Sequence, residues 1–339
     1  MAANTGAAGG QALVLGASGG IGGEVARQLR DAGWQVRALK RGLASEAAER
    51  DGIAWIRGDV LDRDAVVRAA RGCSVIVHAV NPPGYRNWAE QVLPMIDNTI
   101  AAATAATAAR ATVVLPGTIY NFGPDAFPLL REDAPQRPVT RKGAIRVELE
   151  RRLAAASAHG VRTIVVRAGD FFGAHAGNNW FGQALVKAGQ PVTAIRVPNR
   201  PGVGHQWSYV PDVARAMVEL IERRDTLEPF ARFHLGGHWD ADGTQLAQAV
   251  RRVAQRHGMR PAVRRFPWWL VWAAAPFITT LREMLEMRYL WREPLRMDNA
   301  RITAVLGREP LTPLDTAVEA ALTELGCLHT HDARQPRNA

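Results

Sequence analysis

The segment VLGASGGIGGEVA, residues 14–26, decides the fold. It ends a short apolar run, carries Gly16, Gly19 and Gly22, and then continues with apolar residues at helical spacing. Closely spaced glycines between a strand and a helix let the backbone approach a phosphate, and the helix N-terminus supplies unpaired N–H groups and a favourable dipole. The segment therefore predicts a buried strand, a phosphate-binding turn and a helix.

Strand and helix patterns alternate on both sides of this segment. Short apolar runs typical of buried strands lie within residues 11–16, 34–41, 52–62, 73–80, 111–117 and 161–169. Helical patterns lie at 20–33, 63–72, 88–110 and 140–159. Such alternation indicates right-handed βαβ units, and it predicts an α/β fold of the Rossmann type, with a doubly wound parallel sheet and a smaller C-terminal substrate lobe.

The alternation breaks after about residue 175, where Pro, Gly and Trp become frequent. We therefore expect a Rossmann domain over residues 11–175 and a substrate-binding lobe over 176–327, with some strands and helices of the second half returning to the Rossmann domain. The small, polar ends of the chain predict a disordered leader over residues 1–10 and a disordered tail over 328–339.

Composition narrows the class of protein. The chain has 339 residues, two cysteines and a net charge of +10, and only three of its 42 basic residues are lysines. The arginines are scattered and no groove-reading motif accompanies them, so we expect small anionic ligands and no nucleic acid. The two cysteines and the missing secretory signal favour free thiols and a cytoplasmic location. No His, Cys or carboxylate cluster has metal-ligand spacing, and no metal is expected.

The stretch FPWWLVWAAAPFITTL, residues 266–281, contains three tryptophans and is bounded by Arg265 and Arg282. With 16 residues and two internal prolines it is too short to span a bilayer. Two interpretations remain open. The stretch is either a buried helical pair that lines a pocket, or a surface that touches a membrane or a partner.

Several motifs together resemble the extended short-chain dehydrogenase/reductase family, in its NAD(P)-dependent epimerase/dehydratase group. The resemblance covers roughly residues 11–325. Its motifs are the G-x-x-G-x-x-G spacing, Gly-Asp-Val at 58–60, His-Ala-Val at 78–80, Asn98, and YVPDVARAM at 209–217.

The resemblance implies a set of cofactor-binding residues. The glycine turn would hold the pyrophosphate, residues after the third strand would border the adenine, and residues after the fourth strand would pass beneath the nicotinamide ribose. The implied positions are Gly16, Ser18, Gly19, Gly20, Ile21 and Gly22 in the turn, Asp59 and Val60 at the adenine, and Ala79 and Val80 at the ribose.

The end of the second strand predicts which cofactor is bound. Members of this family that use NAD place an acidic residue there, and this chain has Lys40 and Arg41 instead. Two cations attract a 2′-phosphate through charge-assisted hydrogen bonds, whereas a carboxylate repels it. We therefore predict a preference for NADP(H), with NAD(H) as the alternative.

The catalytic tyrosine that the resemblance implies is missing. Members read roughly Y-x-x-x-K-x-x-x-E at this point, and the chain has no Y-x-x-x-K. Arg146 and Glu150 match the second half of the pattern, so Lys142 falls where the tyrosine belongs. Three roles stay open for Lys142 with Arg146: Lys142 as proton donor or carbonyl polariser, an anion-holding pair for the substrate, or a cofactor clamp without chemistry.

Three other residues are candidates near this position. Thr118 matches the family's Ser/Thr that hydrogen-bonds the substrate oxygen, and Tyr120 is the nearest phenol in sequence. Asp170, after the sixth predicted strand, is a candidate counter-ion for Lys142 or Arg146.

The leading hypothesis is an NADPH-linked oxidoreductase of the epimerase/dehydratase type that reduces a carbonyl substrate. Hydride would come from NADPH, Thr118 and Lys142 would hold the oxygen, and Arg146 would fix the ribose. The substrate would be a small molecule, bulky or apolar in view of the Trp-rich lobe, and the helices near 88–110 and 141–159 are candidates for a homodimer interface. The alternative is a non-catalytic NADP(H)-binding protein that reports redox state to a partner.

Overall fold

A computed structural model describes residues 9–82, 88–108, 110–173 and 179–328. Strands and helices alternate through the first half of this region and become irregular in the second. The strands are β1 Gln11–Leu15, β2 Gln35–Lys40, β3 Ala47–Arg50, β4 Ile53–Arg57, β5 Val75–His78, β6 Thr112–Gly117, β7 Leu129–Leu130, β8 Thr163–Arg167, β9 Asp170–Phe172, β10 Ala194–Val197, β11 His205–Tyr209, β12 Phe230–His234, β13 His238–Asp240, β14 Ala262–Arg265 and β15 Arg296–Met297. The α-helices are α1 Gly20–Asp31, α2 Arg63–Ala70, α3 Trp88–Ala106, α4 Arg141–Ala158, α5 Val210–Glu222, α6 Gln245–Arg256, α7 Trp268–Ala274, α8 Thr279–Glu286, α9 Ala300–Leu306 and α10 Leu314–Glu324.

The main sheet has eight strands in the order β12-β8-β6-β5-β1-β2-β4-β3. All neighbouring pairs are parallel except the edge pair β3 and β4. The Rossmann-type α/β fold that the alternation predicts is confirmed. The sequence analysis missed β3, a short edge strand of largely exposed residues whose composition carries no strand pattern.

Helices cover both faces of this sheet. Helices α1 and α5 pack together on one face, where Val25 and Met217 meet the sheet residue Val14. Helices α2, α3 and α4 cover the other face, where Leu149 meets Leu13. Adjacent strand residues therefore point into opposite cores, as period-2 geometry requires. This arrangement brings the carboxyl ends of β1, β2, β5 and β6 to one edge of the sheet.

The second half of the chain builds a separate apolar core and also contributes to the main sheet. Strand β12 is an edge strand of that sheet, and the lobe core contains Phe181, Trp207 and Trp291. The division into domains at residue 175 stays a prediction. The predicted leader and tail lie outside the described residues, apart from residues 9, 10 and 328.

The 16-residue Trp-rich stretch forms α7, a turn and the start of α8. No helix in the described ranges is long and apolar enough to cross a membrane. Of the two interpretations, the structure favours an uncovered surface over a fully buried pair, because Trp269 and Trp272 are exposed.

Helix α4 is held close to the loop that follows β6. Thr140 caps the helix by accepting a hydrogen bond from the Gly143 N–H at 3.0 Å. A Cβ added at Gly143 would overlap the backbone oxygen of Tyr120 and lie 2.7 Å from the Pro138 Cβ. The missing side chain at position 143 therefore sets the separation between the start of α4 and the loop that carries Thr118.

We predict that Gly143→Ala destabilises the protein. Alanine favours a helix over glycine by up to about 1 kcal/mol, but the overlap with backbone at Tyr120 costs about 1–3 kcal/mol and should outweigh that gain. Chemical denaturation would measure the change, with Ala144→Ser at the exposed neighbouring position as the control. A rise in unfolding free energy for Gly143→Ala would contradict the close contact.

Candidate active site

The glycine turn after β1 is tightly built and open to solvent at its tip. Gly16 has φ of +89°, and a Cβ there would lie 2.5 Å from the carbonyl oxygen of Ala79. A Cβ at Gly22 would overlap the carbonyl oxygen of Gly16, so α1 begins directly against the turn. Ser18 and Gly19 are exposed at the tip. The glycines at positions 16 and 22 are thus required by close backbone packing.

The N-terminus of α1 suits an anion. Gly19 occupies the N-cap position without a side-chain hydrogen bond, and the first turn has no acidic residue. The first N–H groups of a helix lack intrahelical acceptors and carry the positive end of the dipole. Gly20 and Ile21 are the first residues of this turn and are partly exposed. The N-terminus of α1 therefore suits the pyrophosphate of a dinucleotide.

Two cations follow at the end of β2. The Lys40 ammonium lies 5.4 Å from the centroid of the Trp55 ring. The Arg41 side chain is 71% exposed, and its guanidinium approaches the Asp59 carboxylate at 3.8 Å. A loose, exposed pair of this kind holds Arg41 weakly and leaves its donors accessible to a ligand.

Residues after β4 and β5 line the neighbouring part of this edge. The Val60 carbonyl accepts a hydrogen bond from the Asn98 side chain at 2.9 Å, and the Ala79 N–H donates to Leu15 at 2.9 Å. His78 contacts the Thr99 hydroxyl at 2.8 Å. Burial, helped by the charge of Arg146, lowers the pKa of His78 to about 3. The imidazole is therefore neutral near pH 7 and adds no second positive charge beside Arg146.

Lys142 has a carboxylate partner from the lobe. Its ammonium lies 2.7 Å from Glu283 in α8, and the two side chains are 7% and 18% exposed. A carboxylate at this distance compensates the charge of a buried ammonium. The cation in the place of the missing tyrosine is therefore held as half of an ion pair.

Arg146 lies one helical turn further along α4 and faces the end of β5. Its guanidinium donates to the side-chain oxygen of Asn81 at 2.8 Å and lies 5.2 Å from the Trp88 ring centroid. The Arg146 Nε is buried and has no hydrogen-bond partner within the described part of the chain. Arg146 is thus aimed at the residues that follow Ala79 and Val80, and it retains an unused donor.

A buried polar network lies behind these cations. The Arg167 guanidinium donates to both oxygens of Glu150 at 2.7 and 2.8 Å. The side chains of Asn121 and Gln136 also donate to Glu150, at 2.9 and 2.7 Å. The Thr118 hydroxyl donates to the side-chain oxygen of Asn121 at 2.6 Å. The hydroxyl oxygen of Thr118 is therefore oriented through Asn121 by the Glu150 carboxylate.

Tyr120 lies in the 3₁₀-helix Ile119–Asn121 that follows Thr118. Its side chain is partly buried and packs against the apolar core under α3 and α4. A catalytic role for Tyr120 stays a prediction.

The proposed counter-ion role of Asp170 is wrong for Lys142, because Glu283 is the carboxylate that pairs with it. Asp170 instead pairs with His205 at 2.7 Å. The parallel pairing of β9 with β11 brings the two side chains together, and the His205 ring stacks on Trp291 with ring centroids 3.8 Å apart.

The sequence analysis missed Glu283 and Asn81, the partners of the two cations. Asn81 follows Val80 directly, and a polar residue just after a strand end is a common member of a functional site, so sequence alone could have indicated it. Glu283 lies far along the chain in a different lobe, so no local pattern connects it with α4. Among the described residues, no group of three or more His, Cys, Asp or Glu side chains is arranged to hold a metal ion.

Solved structures with the same fold cover nearly the whole chain. A putative epimerase from Burkholderia cenocepacia J2315 aligns with a TM-score of 0.72 and 18% identity over 93% of this chain and 98% of its own. The UDP-glucuronic acid 4-epimerase from Bacillus cereus, in complex with NAD, aligns with a TM-score of 0.70 and 14% identity over 96% and 99%. The enzyme MoeE5 in complex with UDP-glucose and NAD aligns with a TM-score of 0.69 and 20% identity over 93% and 98%.

None of the curated proteins matches the chain significantly in sequence. The sequence model of one family does match, over residues 12–236, which is more than half of the chain. The matched region runs from β1 to the end of β12 and includes the glycine turn and the Lys142 position. Because this family model matches more than half of the chain and the structure has the Rossmann-type sheet, the chain belongs to the NAD dependent epimerase/dehydratase family of enzymes.

Proposed function

We propose that the protein is an NADPH-linked reductase of a carbonyl substrate, with Lys142 as the proton donor. The observation that carries this proposal is the buried ion pair between Lys142 and Glu283 at the position of the family's tyrosine. A lysine at this position can release a proton to a substrate, whereas an arginine would stay protonated. Only three lysines occur among 42 basic residues, so a lysine at this point is unusual within its own chain.

The choice of NADPH rests on the end of β2. Lys40 and Arg41 bring two positive charges to this edge, and the exposed Arg41 guanidinium is held only by a 3.8 Å contact with Asp59. Both side chains suit a 2′-phosphate better than a bare 2′-hydroxyl. The similar structures from Bacillus cereus and of MoeE5 contain NAD, so NAD(H) is the competing cofactor in any binding measurement.

When bound, the reduced nicotinamide supplies a hydride to the carbonyl carbon. The carbonyl oxygen then needs a proton, and the Lys142 ammonium gives it. Glu283 positions the ammonium at 2.7 Å, and the 18% exposure of Glu283 leaves a route to solvent, from which the amine would regain its proton. The Thr118 hydroxyl donates to Asn121 at 2.6 Å, so it holds the same oxygen only after its proton turns from Asn121 towards the substrate.

Arg146 acts on the cofactor side of the site. Its contacts with Asn81 and Trp88 fix the guanidinium over the chain segment that follows β5. That position supports a role in holding the nicotinamide ribose. Two hypotheses compete with proton donation: an anion-holding pair of Lys142 and Arg146, and a cofactor clamp without chemistry. An anion-holding pair predicts that Lys142→Arg keeps its turnover, whereas proton donation predicts that turnover is lost.

The substrate class follows from the lobe. A cleft of about 540 Å³ is lined by Pro124, Trp272, Leu285 and Tyr289, together with two arginines and two glutamates. Pro124 belongs to the loop that begins at Thr118. The cleft is lined by none of Thr118, Lys142 and Arg146, so a bulky, partly apolar carbonyl compound is supported by the Trp-rich composition of the lobe. A homodimer through α3 and α4 and a cytoplasmic location stay predictions.

The cofactor preference is tested by binding. Titration of the protein with NADPH and NADH should give a lower Kd for NADPH, because two cations at the end of β2 attract the 2′-phosphate. Lys40→Gln/Arg41→Gln should raise the Kd for NADPH about tenfold or more and leave that for NADH nearly unchanged. Arg50→Gln, at an exposed arginine on β3, is the control. Tighter binding of NADH by the unmodified protein would overturn the preference.

The role of Lys142 is tested by turnover. NADPH oxidation is followed with a panel of aldehydes, ketones and quinones, and then repeated with Lys142→Arg and Lys142→Met. Both variants should lose roughly a hundredfold or more in kcat while the Kd for NADPH changes little, since neither side chain can deliver a proton. Lys187→Arg, at an exposed lysine in the lobe, should keep full activity.

Two outcomes would contradict the proposal. Retained turnover in Lys142→Arg would exclude proton donation by Lys142 and favour the anion-holding pair. Tight NADPH binding without oxidation by any carbonyl in the panel would overturn the reductase and favour the cofactor-binding regulator.

A further inference from the structure

The outer side of α7, the turn and the start of α8 is an uncovered apolar surface. We call it the hairpin surface and define it by Trp269, Leu270, Trp272, Phe277 and Ile278. These side chains are exposed by 71%, 48%, 70%, 89% and 48%. They make up half of the large hydrophobic side chains that the described ranges leave exposed. Exposure of this many aromatic rings at one place marks a contact surface.

The inner side of the same hairpin is firmly packed. Val271 and Ala275 are each only 6% exposed. The Trp268 indole donates to the Pro198 carbonyl at 2.8 Å, and its ring lies against Trp180 and Phe266 with centroids 5.6 and 5.1 Å away. Helices α7 and α8 also pack against each other. The hairpin surface is therefore presented by an anchored element.

Positive charge surrounds the hairpin surface. No charged residue occurs in 266–281, and Arg265 and Arg282 stand directly at its two ends, both exposed. Arg288 lies 5.3 Å from the Trp268 ring centroid. Residues 260–293 contain six arginines and three glutamates, and one of these glutamates is already paired with Lys142. The local charge thus has the same sign as the net charge of +10.

We propose that the hairpin surface docks the protein on an anionic phospholipid bilayer. Aromatic rings flanked by arginines suit the boundary between headgroups and acyl chains, where the rings are buried and the cations meet phosphate. The two helices are far too short to span a bilayer, and the most exposed side chain, Phe277, lies in the turn between them. The hairpin therefore lies in the interface, with its turn inserted.

A second copy of the chain is the competing occupant, and charge argues against it. A two-fold contact through this surface would bring Arg265 and Arg282 near their symmetry copies and oppose like charges. An anionic lipid surface neutralises the same arginines, so the bilayer is the partner whose charge complements the surface.

The proposal is tested with vesicles of phosphatidylcholine alone and of phosphatidylcholine with added phosphatidylglycerol. The full-length protein should float with the anionic vesicles and much less with the neutral ones, and added salt should release it. Trp269→Ser/Trp272→Ser/Phe277→Ser should weaken binding more than about tenfold. Arg265→Gln/Arg282→Gln should weaken binding to anionic vesicles by roughly fivefold for each arginine removed.

Matched variants separate docking from general effects. Leu311→Ser, at another exposed apolar residue, and Arg50→Gln/Arg68→Gln, at exposed arginines of the Rossmann domain, should bind as the unmodified protein does. Unfolding curves of all variants should coincide, because the changed side chains are exposed. Absence of binding to either vesicle, or equal binding to both, would overturn the proposal. So would a dimer that the triple aromatic variant converts to a monomer without any vesicle binding.

Discussion

The ion pair between Glu150 and Arg167 holds three parts of the site in place. Glu150 belongs to α4, Arg167 ends β8, and Asn121 and Gln136, which also donate to Glu150, come from the segment between β6 and α4. Removal of one partner from a buried pair costs about 3–5 kcal/mol, because the other charge is left uncompensated. The orientation of Thr118 and the position of α4, hence of Lys142 and Arg146, depend on this one carboxylate.

Local features of the fold and site could be predicted from sequence. The glycine turn follows from short-range sterics, since a Cβ at Gly16 would lie 2.5 Å from the Ala79 oxygen. The helix predicted at 140–159 is observed as Arg141–Ala158, and the periodicity that places Lys142 and Arg146 on one side of it is also local. The helix predicted at 88–110 ends earlier, at Ala106. End positions depend on tertiary contacts and are poorly encoded locally.

Non-local partners could not be predicted in this way. Asp170 looked like a counter-ion because of its place after a strand, but the pairing of β9 with β11 gives it His205 instead. Glu283 reaches Lys142 only because the lobe folds back over the sheet edge. A charged residue that is expected to be buried needs an oppositely charged partner. The topology of the fold determines which residue is that partner.

Helix α8 carries Glu283 and begins directly after the exposed turn that contains Phe277. The counter-charge of the buried ammonium therefore lies on the same helix that continues from the apolar surface. A force that tilts this helix changes the distance across the ion pair, and a ligand that displaces Glu283 from Lys142 pushes on the helix in return. Thermodynamic linkage makes the two effects equal in free energy. If both proposals hold, ligand binding at Lys142 and docking of the hairpin surface act on the same ion pair, and their effects on each other are reciprocal.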